Sequence, residues 1–364
     1  MGWELATGTL QGPLVTTREL ADLGQAVYGP DEDTSNPDYY EWLYGSGNPW
    51  GKAVIGIARR DRQLVAQYAA IPLRAHYFHR ICPAALGVNG MTHPTAQGRG
   101  LFARLVSRVN AVLRDQGCEF TYVTPGSESE PWFSGRLGYL PWQHLPLWLR
   151  ALRPGKVLAE WRPQFQWMET FDRLVPEAIR GFRYPNFGNQ IQMVPLNGFE
   201  EWMDHVWESC VPGLSFAIKR SVSYLQWRYR QCPVRTYQII GAFQGTLLVG
   251  WAVFRSRRLR QAPKLRIASL VDLVAQPGPS GRRAATQMIA AFVAWAIEGS
   301  FDLLLAQFAD SGLDQAFARN GFLRASSIRH VPTRQFMALA LASGDYRKPD
   351  PRYVHLAGGD HDMG

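Results

Sequence analysis

Cysteine is scarce and scattered. Cys82, Cys118, Cys210 and Cys232 are the only four in 364 residues, and no two are spaced as Cys-x-x-Cys. That pattern excludes a zinc knuckle, a thioredoxin-type redox pair and a disulfide scaffold, and no metal site is expected. Long apolar runs are also missing. The longest candidate, residues 290–297, falls well short of the roughly 18 residues of a membrane span. The opening Met1-Gly-Trp-Glu-Leu5 lacks the basic-then-apolar layout of a secretory leader. The expectation is a soluble protein of a reducing cytoplasm. Charge is modest too: 19% of residues are charged and 46% hydrophobic. A disordered chain is therefore excluded and a sizeable core is available.

The charge that is present leans basic. Lys and Arg number 39 against 30 Asp and Glu, a net charge of +9. Such a surface attracts anions: a polyphosphate cofactor, an acidic glycan or a nucleic acid. Six basic residues cluster between Arg255 and Arg266, but only Phe254 adjoins them, so a solvated edge or an acidic acceptor is favoured over nucleic acid. Thirteen tryptophans are many. Their faces serve as core anchors or as platforms for sugar rings.

Strand-like and helix-like runs alternate, which argues for an α/β class. Strands are expected over 53–61, over 63–79 in one or two pieces bent near Pro72, and over 84–92, 120–124 and 145–149. A helix is expected from Leu101, with Leu101, Phe102, Leu105, Val109, Val112 and Leu113 on one face and a stop at Gly117. A short helix follows over 131–137. The second half repeats this order under one shift of 183 positions. Pro94 falls on Pro277, Gly98 on Gly281, Arg99 on Arg282, Arg136 on Arg319 and Gly138 on Gly321. The chain reads as a duplicated domain: 1–152, a linker over 153–165, a second copy over 166–345 and a tail over 346–364.

The stretch that carries chemistry is Thr92-His-Pro-Thr-Ala-Gln-Gly-Arg-Gly-Leu-Phe102, between a strand and a helix. Gly98 and Gly100 allow a tight turn and a close backbone approach. The first N–H groups of the following helix have no internal partner, and the helix dipole adds positive charge there. Together they make a cradle for a pyrophosphate, with Arg99 and Arg104 nearby. A P-loop is excluded because Leu101-Phe102 stands where Lys-Ser/Thr is needed. A Rossmann loop is excluded because no acidic residue ends the next strand.

Gln97-Gly-Arg-Gly100 after Thr92-His93-Pro94 resembles the acyl-CoA loop of the GNAT acyltransferase superfamily, over roughly residues 50–150. The resemblance implies an α/β fold of two GNAT-like domains, each a mixed, splayed central sheet flanked by helices. It implies acetyl-CoA or another acyl-CoA as cofactor. The residues it assigns to the cofactor are Met91, Thr92, Gln97, Gly98, Arg99, Gly100, Leu101, Phe102, Ser129 and Phe133, with the arm between strands 84–92 and 120–125. A main-chain N–H around Asn89–Thr92 is the expected oxyanion donor. Ser134 stands where many members carry a tyrosine acid, and Phe102 where Gly or Ala is usual. In the second copy Arg283 replaces the equivalent of Gly100, so its side chain is expected to crowd that cradle. Pro125-x-x-x-Ser129, Tyr224-Leu-x-Trp-Arg-Tyr229 and the tail Gly359-Asp-His-Asp362 resemble a narrower set of tandem proteins linked with bacterial polysaccharide or glycoconjugate loci.

The proton acceptor is open among Glu128, His93 and Asp272, with Glu130 and His144 further candidates. His93 also fits an ordinary structural His-Pro, and Asp272 is the shifted equivalent of Asn89. The expected activity is transfer of an acyl group, acetyl first, to the amine of a small acceptor such as an amino sugar or glycosylated metabolite. Alternatives are an amino-acid, peptide or antibiotic amine with a longer acyl chain, and a non-catalytic acyl-CoA sensor.

Overall fold

The computed structural model describes residues 3–10, 14–173, 191–325, 334–343 and 346–361. Asp362, the last residue of the tail motif, lies outside them. The first half runs β1 (Glu4–Gly8), α1 (Thr17–Tyr28), α2 (Pro37–Tyr44), β2 (Val54–Arg60), β3 (Gln63–Tyr77), β4 (Arg80–Thr92), α3 (Leu101–Asp115), β5 (Phe120–Val123), α4 (Glu130–Gly135), β6 (Leu140–Leu145) and β7 (Leu147–Ala151). After α5 (Pro154–Trp161) come β8 (Gln192–Leu196), α6 (Asp204–Cys210), β9 (Phe216–Ile218), α7 (Val222–Leu225), β10 (Gln238–Gln244), β11 (Leu247–Arg257) and β12 (Ile267–Ala275). The chain then forms α8 (Pro279–Glu298), β13 (Leu303–Ala309), α9 (Asp314–Arg319), β14 (Leu323–Arg324), β15 (Arg334–Ala340) and β16 (Val354–Ala357).

The duplication read from the sequence extends to strand register. Parallel β4 and β5 pair from Ala84 with Phe120 to Leu86 with Tyr122. Parallel β12 and β13 pair from Ile267 with Leu303 to Leu270 with Ala306. Both partners of the first pair map onto the second by the same 183-residue shift. In each half the pairing then stops while the strands continue, so both sheets are splayed.

The halves are also interlocked. The first sheet runs β1-β2-β3-β4-β5-β15-β6, and the second β8-β10-β11-β12-β13-β7-β14. Strand β7 of the first half thus sits in the second sheet, and β15 of the second half sits in the first, at equivalent positions. Pro146 explains the first crossing. It ends β6, and its carbonyl accepts Phe308 N at 3.2 Å where the chain enters the other sheet. The strand expected over 145–149 is therefore two strands in two sheets. Conversely, the stretch expected over 63–79 in one or two pieces is one strand, Gln63–Tyr77, through Pro72, with Phe78 and His79 in the turn to β4. Pairing with β2 ends at Ala70 and pairing with β9 begins at Ala75, so the missing proline N–H falls in an edge gap.

Each sheet buries one face under its own helices. Leu101, Leu105, Val106, Val109 and Leu113 of α3 pack on Ala66, Tyr68, Ala85 and Val123. Met288, Phe292 and Val293 of α8 pack on Ala268, Leu270 and Leu273. The opposite faces share one core, in which Leu86, Val88, Met91 and Tyr122 meet Trp251, Val253, Val271 and Val274. Strand β9 bonds to β3 and β16, and β16 bonds to β13, which bridges the sheets.

Reciprocal exchange makes each sheet incomplete without the other half. Residues 1–152 and 153–364 produced separately are expected to be insoluble or molten, with native near-UV circular dichroism returning only on co-expression. Independent cooperative unfolding of either fragment would contradict the interlock.

Candidate functional site

The loop between β4 and α3 begins with a short 3-10 turn, Pro94–Ala96. Gly98 (φ +73°) and Gly100 (φ +70°) both lie in the left-handed region, and a Cβ on either would meet no atom within 4 Å. Backbone conformation, rather than crowding, demands glycine here, and open space lies beside both residues. Gly100 is the N-cap of α3, no side chain caps it, and no acidic residue stands in the first turn. The first bond into the helix runs from Arg104 N to Gly100 O at 3.3 Å. The amides of Leu101, Phe102 and Ala103 therefore have no acceptor inside the helix. Residues 97–100 are exposed, Leu101 is buried and Phe102 half-buried. Glycine main chain, uncapped amides, arginine and open space fit a pyrophosphate.

Of the expected cofactor residues, Thr92 and Gln97 to Phe102 form the end of β4, the loop and the start of α3, while Ser129 and Phe133 lie at and within α4. Gln97 Nε2 donates to Thr92 O at 3.4 Å. Phe133 is buried against Phe102 (ring centroids 5.5 Å apart) and Tyr139 (4.9 Å). Ser129 starts α4, its hydroxyl donating to Gly126 O at 3.2 Å. Met91 faces the shared core on the other side of the sheet. Ser134 donates to Glu130 O at 3.1 Å, so this hydroxyl is spent on its own helix.

On β4 a bulge falls where the strands part. Gln67 pairs with Met91 and Ala69 with Val88, leaving Asn89 and Gly90 opposite Tyr68 alone, and Asn89 takes φ +49°. A buried polar set fixes this kink. Asn89 Nδ2 donates to the Tyr44 hydroxyl at 2.9 Å, the Tyr39 hydroxyl donates to Asn89 Oδ1 at 3.3 Å, and Gln67 Nε2 donates to Asn89 O at 2.9 Å. Burial raises the Tyr44 pKa, which keeps its hydroxyl protonated. Because C=O and N–H of one peptide point in opposite directions, the Gly90 N–H is directed away from Gln67. Sequence reasoning marked Asn89 through its shifted partner Asp272 but missed Tyr39, Tyr44 and Gln67, which carry no motif.

The three candidate proton acceptors are separated. Glu128 is exposed in the loop after β5, at the same end of the sheet as the cradle, and Glu130 is half-buried in the first turn of α4. His93 is turned into its own loop, where Nδ1 lies 2.8 Å from Thr95 Oγ1 and accepts Thr95 N at 3.3 Å. Asp272 lies in the other half, 2% exposed, within a buried ion cluster. Arg220 Nε donates to both its oxygens at 3.1 Å, and the Tyr229 hydroxyl donates to Oδ2 at 2.9 Å. His144 sits on β6, paired across to Gln335 of β15.

The second cradle is absent for a different reason than side-chain crowding. Arg283 is exposed. Helix α8 instead begins at Pro279, five residues before the shifted equivalent of Leu101, and so consumes the loop. A Cβ on Gly281 would meet Gln276 O at 1.6 Å, so the helix start rests on the end of β12. The splay beyond Leu270 is filled as well. Strand β16 bonds to Phe308 and Ala309 of β13, and the turn Gly358–Asp360 packs beside Val271. What remains is a cavity of about 20 Å³ lined by Ser269, Val271, Ala306, Gln307, Gly358 and His361, room for about one water.

The same ion cluster holds this tail. Arg220 Nη2 donates to Asp360 Oδ2 at 2.7 Å, and Arg228 donates to Gly359 O and His361 O at 3.2 and 2.7 Å. The Tyr122 hydroxyl donates to Asp360 O at 2.8 Å, tying the tail to the apex of the first splay. A Cβ at Gly359 would lie 1.9 Å from the Tyr229 hydroxyl. Burial pushes the Asp360 pKa up, and the Arg220 charge opposes that rise.

The tryptophans are largely structural. Trp42, Trp142, Trp148, Trp207, Trp227 and Trp251 are buried, Trp132 is covered by Arg136 at 4.5 Å, and Trp161, Trp167 and Trp202 are exposed outside the first-half cleft elements. The buried ones serve as core anchors rather than as a sugar platform.

Residues 17–141 match the model of an acetyltransferase (GNAT) domain. The fold is similar to that of a GCN5-related N-acetyltransferase from Anabaena variabilis, 11% identical, covering 93% of this chain and 73% of that one with a TM-score of 0.62. It is also similar to Saccharomyces cerevisiae N-myristoyltransferase with bound myristoyl-CoA, 13% identical, covering 93% and 82% of the two chains with a TM-score of 0.61. A probable N-acyltransferase from Enterococcus faecalis is 12% identical, covering 94% and 73% with a TM-score of 0.61. No curated protein sequence matches the chain. The chain has a GNAT acyltransferase fold in two similarly built α/β halves. No helix among the described residues is long and apolar enough to cross a membrane.

Removing the shared cation of the ion cluster leaves two buried carboxylates facing each other. Arg220→Met is expected to cost about 3–5 kcal/mol in urea denaturation. A loss below about 1 kcal/mol would show that the cluster is not the clamp described.

Proposed function

We propose that the chain is an acyltransferase that takes acyl-CoA in its first half and delivers the acyl group to the amine of a small acceptor. The observation that carries this is the uncapped α3 terminus behind Gly98 and Gly100, opening onto the splay of β4 and β5. Leu101, Phe102 and Ala103 amides, with Arg99 and Arg104, hold the diphosphate. Met91 and Thr92 main chain pairs with the arm, and Ser129 and Phe133 flank it. The bound thioester supplies an activated acyl carbon. The second half, with its splay filled, covers the first and helps shape the acceptor site.

The chain's own part in the reaction is positioning, charge stabilisation and proton removal. The Gly90 amide, held by the Gln67–Asn89–Tyr44 set, donates to the carbonyl oxygen as charge develops on it. Glu128 is the favoured base, because His93 is committed to its loop and Asp272 to Arg220. The amine proton passes to Glu128, and the thiolate leaves to collect a proton from water, since Ser134 is spent on Glu130 O. Amino-acid, peptide and sugar amines remain the acceptor classes to be screened, in a soluble cytoplasmic setting.

The missing acid at Ser134 also favours a second reading, a sensor that binds acyl-CoA without turning it over. Thiol release from acetyl-CoA with a panel of amines separates the two: turnover with any amine supports the enzyme, and tight binding without turnover supports the sensor. Glu128→Gln is expected to lower kcat about 10²-fold with cofactor affinity unchanged, whereas His93→Ala leaves kcat near wild type. The reverse ranking would reassign the base. Gly100→Arg is expected to abolish acyl-CoA binding in calorimetry while the protein stays folded, and retained affinity would sink the cradle.

A further inference from the structure

We infer that Tyr68 closes the acyl end of the first-half cleft and restricts the transferred group to a short one. The inference rests on the acyl-CoA reading above and adds the class of acyl group. The cradle lies at the open end of the splay, past Thr92, and the strands part at Leu86 and Tyr122. From Thr92 back to Gly87 is about 16 Å of extended strand. An arm anchored at Gly98–Leu101 and lying along β4 therefore brings its thioester near the bulge and its acyl group to the apex.

Tyr68 of β3 occupies that apex. The side chain is 1% exposed. A Cβ added to Gly87 would lie 2.0 Å from its hydroxyl oxygen and 2.7 Å from Val123 Cγ1, so the hydroxyl reaches across bare β4 main chain toward β5. Phe102 does the same one step along. Its ring lies 2.5 Å from where a Cβ on Gly90 would stand and meets Tyr68 edge-on, centroids 6.0 Å apart. The second copy is the control. The shifted equivalents of Gly87 and Gly90 are Leu270 and Leu273, both buried in the core under α8. The half whose splay is plugged lines this wall with leucine, and the half with the cradle keeps it bare and caps it with one tyrosine.

The Tyr68 hydroxyl is buried beside the Tyr139 hydroxyl. The Tyr139 hydroxyl is itself held by Thr121 at 2.8 Å and Asn110 at 3.2 Å. A short acyl group ends before the ring, whereas a long alkyl chain must displace it.

Calorimetry with free coenzyme A, acetyl-CoA, octanoyl-CoA and myristoyl-CoA tests this on the full chain. The wild type is expected to bind octanoyl-CoA at least about tenfold more weakly than acetyl-CoA. Tyr68→Ala is expected to reverse that order, and Tyr68→Phe, which keeps the ring, to preserve it. Equal or tighter wild-type binding of the long thioesters overturns the inference without any variant. So does an unchanged ranking in Tyr68→Ala whose circular dichroism and melting are native-like. If neither free coenzyme A nor any thioester binds the wild type, the cofactor reading itself has failed.

Discussion

Two parallel strands that stop bonding part-way along leave main-chain groups with nothing to bond, and something has to occupy the gap. The chain meets this constraint twice, at Leu86/Tyr122 and at Leu270/Ala306, in the same register. The second gap is closed from within: β16 adds to β13, and Gly358–Asp360 is drawn down beside Val271 by Arg220 and Arg228. Among the described residues the first has no such insert. It ends in a glycine loop and an uncapped helix, features that cost stability unless a ligand uses them. The functional reading follows from that asymmetry between copies that otherwise share strand order and register.

The tail that fills one cleft also secures the other. Tyr122, at the apex of the first splay, donates to the carbonyl of Asp360, whose carboxylate is bound to Arg220, which in turn grips Asp272 at the apex of the second. With β7 and β15 exchanged between sheets, the halves form one mechanical unit.

What the sequence disclosed was local or periodic. Glycines at 98, 100 and 117 announced turns that the backbone makes with positive φ, and the apolar face of α3 is the buried one. The 183-residue shift was legible because duplication kept Pro, Gly and aromatic landmarks in step, and it carried through to strand register. What stayed hidden depends on distant chain segments. Arg220 lies 52 and 140 residues from its two carboxylates, and no spacing rule links them. The exchange of β7 and β15 leaves no periodic trace, because each strand alternates as it would in its own sheet. The loss of the second cradle was visible at Arg283, but its cause, a helix begun five residues early, lay in Pro279 at its first position.

The claim at the centre is that one cleft is open to a diphosphate-bearing ligand and its twin is permanently occupied by the chain itself. Amide hydrogen exchange with and without acetyl-CoA tests this most directly. The account predicts slower exchange at residues 98–104 and along 87–92, with no change over 270–285 or 354–361. Protection confined to 270–285, or equal protection in both halves, would contradict it.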